Sequence, residues 1–291
     1  MLQIPDSELI INPDGSIFHL HIKPGQLAKR VILVGDPGRV EVVSSFFDEV
    51  LFEGSNREFV WKTGFFNKVK VTVLSTGIGT DNIDIVLNEL DALVNIDFET
   101  RLPKEEKTSL QIVRIGTSGS LQEDLPVDSW ILSERAIGFD GLLNFYANRD
   151  EVSELEFENS FVKHTSWQER LTAPYVVNAD EELFEILNSD KTMSGVTISA
   201  PGFYGPQGRV LRLPLSDAKL NENISSFRFN NERITNFEME CSAIYGLSKL
   251  LGHQAATVCV IIANRWQGTY SENYREVVKK LVSYVLVKLT E

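Results

Sequence analysis

Short β-branched runs that stop at glycine-containing turns recur along the chain, and they constrain the fold more than any other feature. Arg30-Val31-Ile32-Leu33-Val34 leads into Gly35-Asp36-Pro37-Gly38-Arg39. Lys68 to Leu74 alternates and leads into Ser75-Thr76-Gly77-Ile78-Gly79. Gln111 to Ile115 is followed by Gly116-Thr117-Ser118-Gly119, read as a third turn. Further strands are expected over Ser129 to Arg135, Met193 to Ser199 and Ala255 to Ala263. Continuous Val/Ile runs read as strands covered on both faces. Helical periods lie between them. Asp81 to Val94 puts Ile83, Val86, Leu87, Leu90, Leu93 and Val94 on one stripe, with Thr80 or Asp81 as the expected N-cap. Cys241 to Leu251 repeats the period and stops at Gly252, a residue type that ends helices. A last helix is expected from about Ser271 to Leu289. Alternating strands and helices imply an α/β fold, one domain with a central mixed β-sheet flanked by helices.

Two stretches interrupt this alternation, 95–110 and 140–185, and both read as insertions in that one domain. The second is polar and rich in Glu and Asn, with aromatics but no clear period. Loops and short helices are expected there. A chain of 291 residues is long enough to bury a large core in one α/β domain.

Charge narrows the function. Lys+Arg is 28 against Asp+Glu 41, a formal net charge of −13. Nucleic acid and anionic membrane both need a basic surface, so neither is an expected partner. An anion would have to be held by a few local arginines. The apolar runs are far shorter than a membrane span. MLQIPDSELI has no basic n-region, so no secretion signal is read and a cytoplasmic location is expected. Cys241 and Cys259 sit in apolar segments and read as buried free thiols.

In open α/β sheets ligands bind beyond the carboxyl ends of strands, and glycine turns there free backbone N–H groups for an anion. The first turn adds Arg39, and the third is preceded by Arg114 and carries Thr117. Arg57 lies in Ser55-Asn56-Arg57-Glu58-Phe59, between the first two. Arginine forks match phosphate oxygens, so these groups could form a phosphate pocket. Taken singly, each turn is also what a chain reversal needs, and each arginine could be a surface ion pair. Common alternatives fail on pattern. Gly77-Ile78-Gly79 lacks the third glycine of a dinucleotide fingerprint, since position 82 is Asn, and no Walker A lysine follows any glycine turn. Gly116 to Ser120 is not a nucleophile elbow, because its last glycine comes one position early. His19 and His21 are read as alternating across a short strand, not as metal ligands.

These pieces together resemble the nucleoside phosphorylase-I family, and within it the uridine phosphorylases. The matching segments are Phe18-His19-Leu20, Gly35-Asp36-Pro37-Gly38-Arg39, Arg57-Glu58-Phe59, Ser75-Thr76-Gly77-Ile78-Gly79, Arg114-Ile115-Gly116-Thr117, Gln207-Gly208-Arg209 and Glu238-Met239-Glu240. They occur in the family's order and span most of the chain.

The resemblance implies reversible phosphorolysis of uridine, or deoxyuridine, to uracil and (deoxy)ribose 1-phosphate, with inorganic phosphate as co-substrate and no cofactor. Phosphate would be held by Gly35, Arg39, Arg114 and Thr117, with Arg57 supplied by a neighbouring subunit. Ribose would meet Glu240, Met239 and the neighbour's His19. The base would meet Gln207, Arg209 and a stacking Phe203, with Arg265 orienting the pair. Gln207 offers a donor and an acceptor and Arg209 only donors, which match the carbonyl and N3–H edge of uracil. Purine-specific relatives place an Asp after the late strand, where this chain reads Asn264-Arg265. The resemblance further implies a homo-oligomer, either a dimer or a hexamer built as a trimer of dimers, acting in pyrimidine salvage. Relatives can bind a monovalent cation through residues matching Glu58 and Ser75. Thr80-Asp81-Asn82 departs from the family's smaller residues and sets an acid near the phosphate turn. A purine nucleoside phosphorylase, a nucleosidase and a non-catalytic nucleoside-binding protein are the alternatives. Phosphate-free cleavage would favour a nucleosidase, and binding without turnover would favour the third.

Overall fold

The computed structural model describes residues 3–291. Its strands are β1 (Arg30–Val34), β2 (Glu49–Asn56), β3 (Phe59–Phe66), β4 (Val69–Ser75), β5 (Ile96–Asp97), β6 (Leu102–Pro103), β7 (Gln111–Ser120), β8 (Trp130–Gly138), β9 (Tyr175–Asn178), β10 (Thr192–Ser199), β11 (Arg228–Phe229), β12 (Glu232–Glu238), β13 (Gln254–Asn264) and β14 (Thr269–Tyr270). The helices are α1 (Pro37–Ser44), α2 (Thr80–Asn95), α3 (Arg149–Val152), α4 (Leu155–Thr165), α5 (Glu181–Leu187), α6 (Leu220–Ser226), α7 (Cys241–Leu251) and α8 (Tyr274–Thr290). The fold is α/β with a large mixed sheet, as expected from the strand–helix alternation.

β1 shows why its run is continuously apolar. Val31 and Leu33 join a core cluster with α2 and α7, while Ile32 and Val34 join a second cluster with α1 and α8. Both faces of the strand are covered over Val31–Val34, and those four positions are all apolar. β1 lies between β4 and β7, parallel to both, and β7 continues into β13, also parallel. β13 then pairs antiparallel with β8, which leads to β10 and β12. β12 returns to β7 through Asn236 opposite Ser120 and Phe237 opposite Gly119. That pairing closes β7, β13, β8, β10 and β12 into a ring and draws the ends of distant strands together.

α2 packs the expected stripe, with Ile83, Val86, Leu87 and Leu90 fully buried. Removing Leu90 to Ala would cost about 2–5 kcal/mol as a core cavity. Its N-cap is neither Thr80 nor Asp81 but Gly79, at φ 98°, a conformation side chains avoid. Asp81 is exposed in the first turn. α8 begins at Tyr274, after the strand β14 has used Thr269–Tyr270. Gly252 ends α7 in the left-handed region, as read from its type.

The segment 116–119 is not a turn. It continues β7, and Gly116 is required by a side chain: a Cβ there would lie 2.0 Å from Arg114 Nη1 and 2.7 Å from Cys259 Sγ. The histidine pair is not on a strand. Phe18–Leu20 is a turn, because Glu89 of α2 accepts the backbone N–H groups of His19 and Leu20 at 2.9–3.1 Å. In 140–185 the short helices are joined by a strand, β9, which extends the sheet at β8. In 95–110 the β5–β6 ribbon carries Arg101, whose guanidinium Nε donates to Ile4 O at 2.8 Å and clasps the N-terminal segment. Both cysteines are buried and free. Among the described residues, no helix is long and apolar enough to cross a membrane.

Candidate active site

A cavity of about 800 Å³ opens where these strand ends meet. Gly35, Asp36, Pro37 and Arg39 reach it from the β1–α1 turn, and Gly77, Ile78 and Asn82 from the β4–α2 turn. Arg114, Thr117, Ser118 and Gly119 come from β7, and Phe237, Glu238, Met239 and Glu240 from the end of β12. Phe203, Gln207 and Arg209 come from the loop after β10. Glu58, Ile262, Ala263 and Tyr270 complete the lining.

At one end stands a buried charge cluster. Arg114, Glu238 and Glu240 are each 3–4% exposed. Arg114 bonds Glu240 Oε2 through Nη2 and lies 3.3 Å from Glu238 Oε2. Glu240 Oε1 accepts the Gly79 N–H at 2.8 Å, so the α2 N-terminus fixes the other carboxylate oxygen. Glu238 anchors the start of α7, accepting from the N–H groups of Glu240 and Cys241 at 2.9–3.0 Å and from Ser199 Oγ at 2.5 Å. Burial, opposed by the charge of Arg114 and reinforced by Glu240, raises the Glu238 carboxyl to about 7. Arg39 donates to Ile115 O at 3.3 Å. Burial lowers its pKa, and the neighbouring charge of Arg114 lowers it more. Arg39 is in no carboxylate ion pair among the described residues, so its guanidinium is the group at this site open to an anion.

The other end is a loop. Arg209 Nη1 donates to Phe203 O at 2.8 Å and to Gln207 Oε1, and its guanidinium lies 3.8 Å from the Phe203 ring centroid. Burial, aided by the charge of Arg265, lowers Arg209 to about 10, so it stays a cation at neutral pH. A Cβ on Gly119 would come within 3.4 Å of Arg209 Nη2, so the glycine leaves β7 open beneath it. Arg265 lies outside the cavity lining and bonds the backbone carbonyls of Gln207 and Gly208, the latter at 3.0 Å.

The remaining residues singled out from sequence separate into two groups. His19 and Arg57 do not reach this cavity, but Asn56 Nδ2 donates to His19 O at 2.8 Å and so ties the two segments together on the surface. Glu89 Oε1 lies 2.6 Å from His19 Nδ1. Arg57 is exposed in a two-residue hairpin loop between β2 and β3 at φ 55°, a position that favours Gly or Asn. Ser75 is buried, its hydroxyl donating to Glu58 O at 2.5 Å, while Glu58 accepts from Asn82 at 3.1 Å. Sequence reasoning assigned no role to Glu238, although it stood in the Glu-Met-Glu segment. It also passed over Asn82, Ile262, Tyr270 and Glu89, none of which carries a local signal. Asp81, the unexpected acid, lies outside the lining.

Comparison with known proteins follows the same outline. A family model described as the phosphorylase superfamily matches residues 29–286. The uridine phosphorylase of Thermococcus kodakarensis is 29% identical over 260 residues, covering 87% of this chain and 79% of its own. That of Haemophilus influenzae is 27% identical over 255 residues, covering 86% and 87%. A solved Trypanosoma brucei nucleoside phosphorylase, described as showing uridine phosphorylase activity, is 32% identical with a TM-score of 0.88, covering 97% of this chain and 99% of that one.

Proposed function

The chain belongs to the phosphorylase superfamily, and on that premise we propose that it is a nucleoside phosphorylase acting on uridine. The observation that carries the reading is that Arg39, Arg114, Thr117, Gln207, Arg209 and Glu240, from distant parts of the chain, all line one cavity. Phosphate sits against Gly35, Arg39, Arg114 and Thr117. The ribose hydroxyls donate to Glu240, whose carboxylate is held ready by Arg114 and Gly79, and Met239 packs against the sugar. Uracil pairs with Gln207 and Arg209 and stacks near Phe203.

The reaction needs no covalent nucleophile. Phosphate, positioned against C1′, displaces the base through an oxocarbenium-like transition state. The bonding pair moves onto the uracil ring, and negative charge grows on a carbonyl oxygen that Arg209 and Gln207 stabilise. Arg265 supports the turn that carries them through the backbone carbonyls of Gln207 and Gly208. The phosphate dianion offsets the positive charge on the sugar. The purine alternative is disfavoured by Asn264. Its amide donates to Gln122 O and Leu125 O at 3.0 and 2.8 Å and accepts from Trp266 N and Gln267 N, so it has no proton to give a base.

His19 and Arg57 enter the pocket of a neighbouring copy, which makes the working form a homo-oligomer. Their full or partial exposure outside this chain's own cavity and their tie through Asn56 support this. The role is pyrimidine salvage in the cytoplasm. Mixing Arg57→Ala with Arg209→Ala tests the shared site. Exchanged subunits regain turnover that neither variant has alone, and no recovery after subunit exchange contradicts it. For the base assignment, Arg209→Ala is expected to lose uridine cleavage by ~100–1,000-fold while phosphate still binds. Near wild-type turnover in that variant would remove the assignment.

A further inference from the structure

We infer that Asn221, at the second position of α6, is a positioning residue that sets the base-recognition turn against Gly208. The inference rests on the proposed roles of Gln207 and Arg209. Asn221 Nδ2 donates to Gln207 O at 3.2 Å, the same carbonyl that Arg265 holds from the end of β13. Two elements distant in sequence therefore fix the 207–208 peptide, which lies between the side chains of Gln207 and Arg209. Gly208 follows at φ 67°, and a Cβ there would lie 2.1 Å from Asn221 Nδ2 and 2.7 Å from its Cγ. Only glycine lets the amide come this close.

Stability alone does not explain an asparagine here. Its Oδ1 is buried with no hydrogen-bond partner among the described residues, an arrangement that costs stability. The donor is the half of the amide that is used. α6 is in turn held from behind. Ile224 and Phe227 are buried, and the Phe227 ring lies 5.3 Å from both Phe157 and Phe161 of α4. His164, also on α4, bonds Asn223 O at 3.1 Å and lies 3.2 Å from Ser226 Oγ. The polar region 140–185 therefore contributes to the site indirectly. Its helix α4 buttresses α6, and α6 presents Asn221 to the turn.

The test is steady-state kinetics of the full-length chain with uridine, deoxyuridine, thymidine and inosine, varying nucleoside and phosphate separately. Asn221→Ala is expected to raise the nucleoside KM by about tenfold, through loss of one hydrogen bond, with the phosphate KM within about twofold. Asn221→Asp keeps the shape but sets an acceptor against a carbonyl, so its nucleoside KM rises further. Adding Asn221→Ala to Gly208→Ala does not worsen Gly208→Ala, because both act through one contact. An unchanged nucleoside KM in Asn221→Ala and Asn221→Asp overturns the inference, as do equal rises in both KM values. If the wild type cleaves inosine and not uridine, the proposed substrate falls, and the Asn221 ratio is read on inosine. If it neither cleaves nor, by calorimetry, binds any of the four, both fall.

Discussion

The two ends of the cavity are built on opposite principles. The proposed phosphate and ribose end is made of strand ends and helix starts, and its Arg114, Glu238 and Glu240 are 96% or more removed from solvent, with Arg39 partly buried beside them. The proposed base end is a loop whose Phe203 is 49% exposed, whose Gln207 is buried, and whose Arg209 guanidinium is held by Phe203 O and Gln207 Oε1. The first end is part of the core, so altering it should unfold as well as inactivate. The second is an attachment to a finished sheet and can vary without the fold noticing.

The largest effect tests that contrast at its buried end. Arg114→Ala leaves Glu238 and Glu240 uncompensated, and removing one partner of a buried ion pair costs about 3–5 kcal/mol. Urea unfolding should show that loss together with loss of turnover. Arg209→Ala should leave the unfolding midpoint unchanged while abolishing uridine cleavage. Equal stability losses in the two variants would erase the distinction.

A second prediction separates the ends by pH. The folded-state pKa of Glu238, about 7, lies above its ordinary 4.5. The folded form holds this proton more tightly than the unfolded chain. Its contribution to stability is complete below pH 4.5 and is lost as the pH rises to about 7. Glu238→Gln should flatten that part of the stability–pH curve, read by thermal melts. Arg209, at about 10, contributes nothing to this window. The smallest effect belongs to Asp81. It is exposed and outside the cavity lining, so Asp81→Ala should change stability by less than about 0.5 kcal/mol and leave the phosphate KM unaltered. A marked fall in phosphate KM would return Asp81 to the site.

What could be read in the sequence follows from which forces are local. β1 and β13 were legible because both faces are buried, and nearly continuous apolar runs report it. The β2–β3 hairpin was not, since β2 is an edge strand with most of its side chains exposed. Gly116 carried a turn signal, but its smallness serves the Arg114 side chain, a contact that no spacing encodes. Arg39, Arg114, Gln207, Arg209 and Glu240 were singled out through the order of their motifs, and all five line the one cavity. Glu89, Asn82 and Asn221 were not, because each acts on a partner brought near only by the fold: Glu89 on His19, Asn82 on Glu58, Asn221 on Gln207.

The central claim is that the arginine end holds phosphate and the glutamine–arginine end holds uracil in one reaction. The most direct measurement follows uridine absorbance with the purified chain, with and without inorganic phosphate. The account predicts cleavage only when phosphate is present, with ribose 1-phosphate formed in step with uracil. Equal cleavage in phosphate-free buffer, or phosphate-dependent cleavage of inosine but not of uridine, would contradict it.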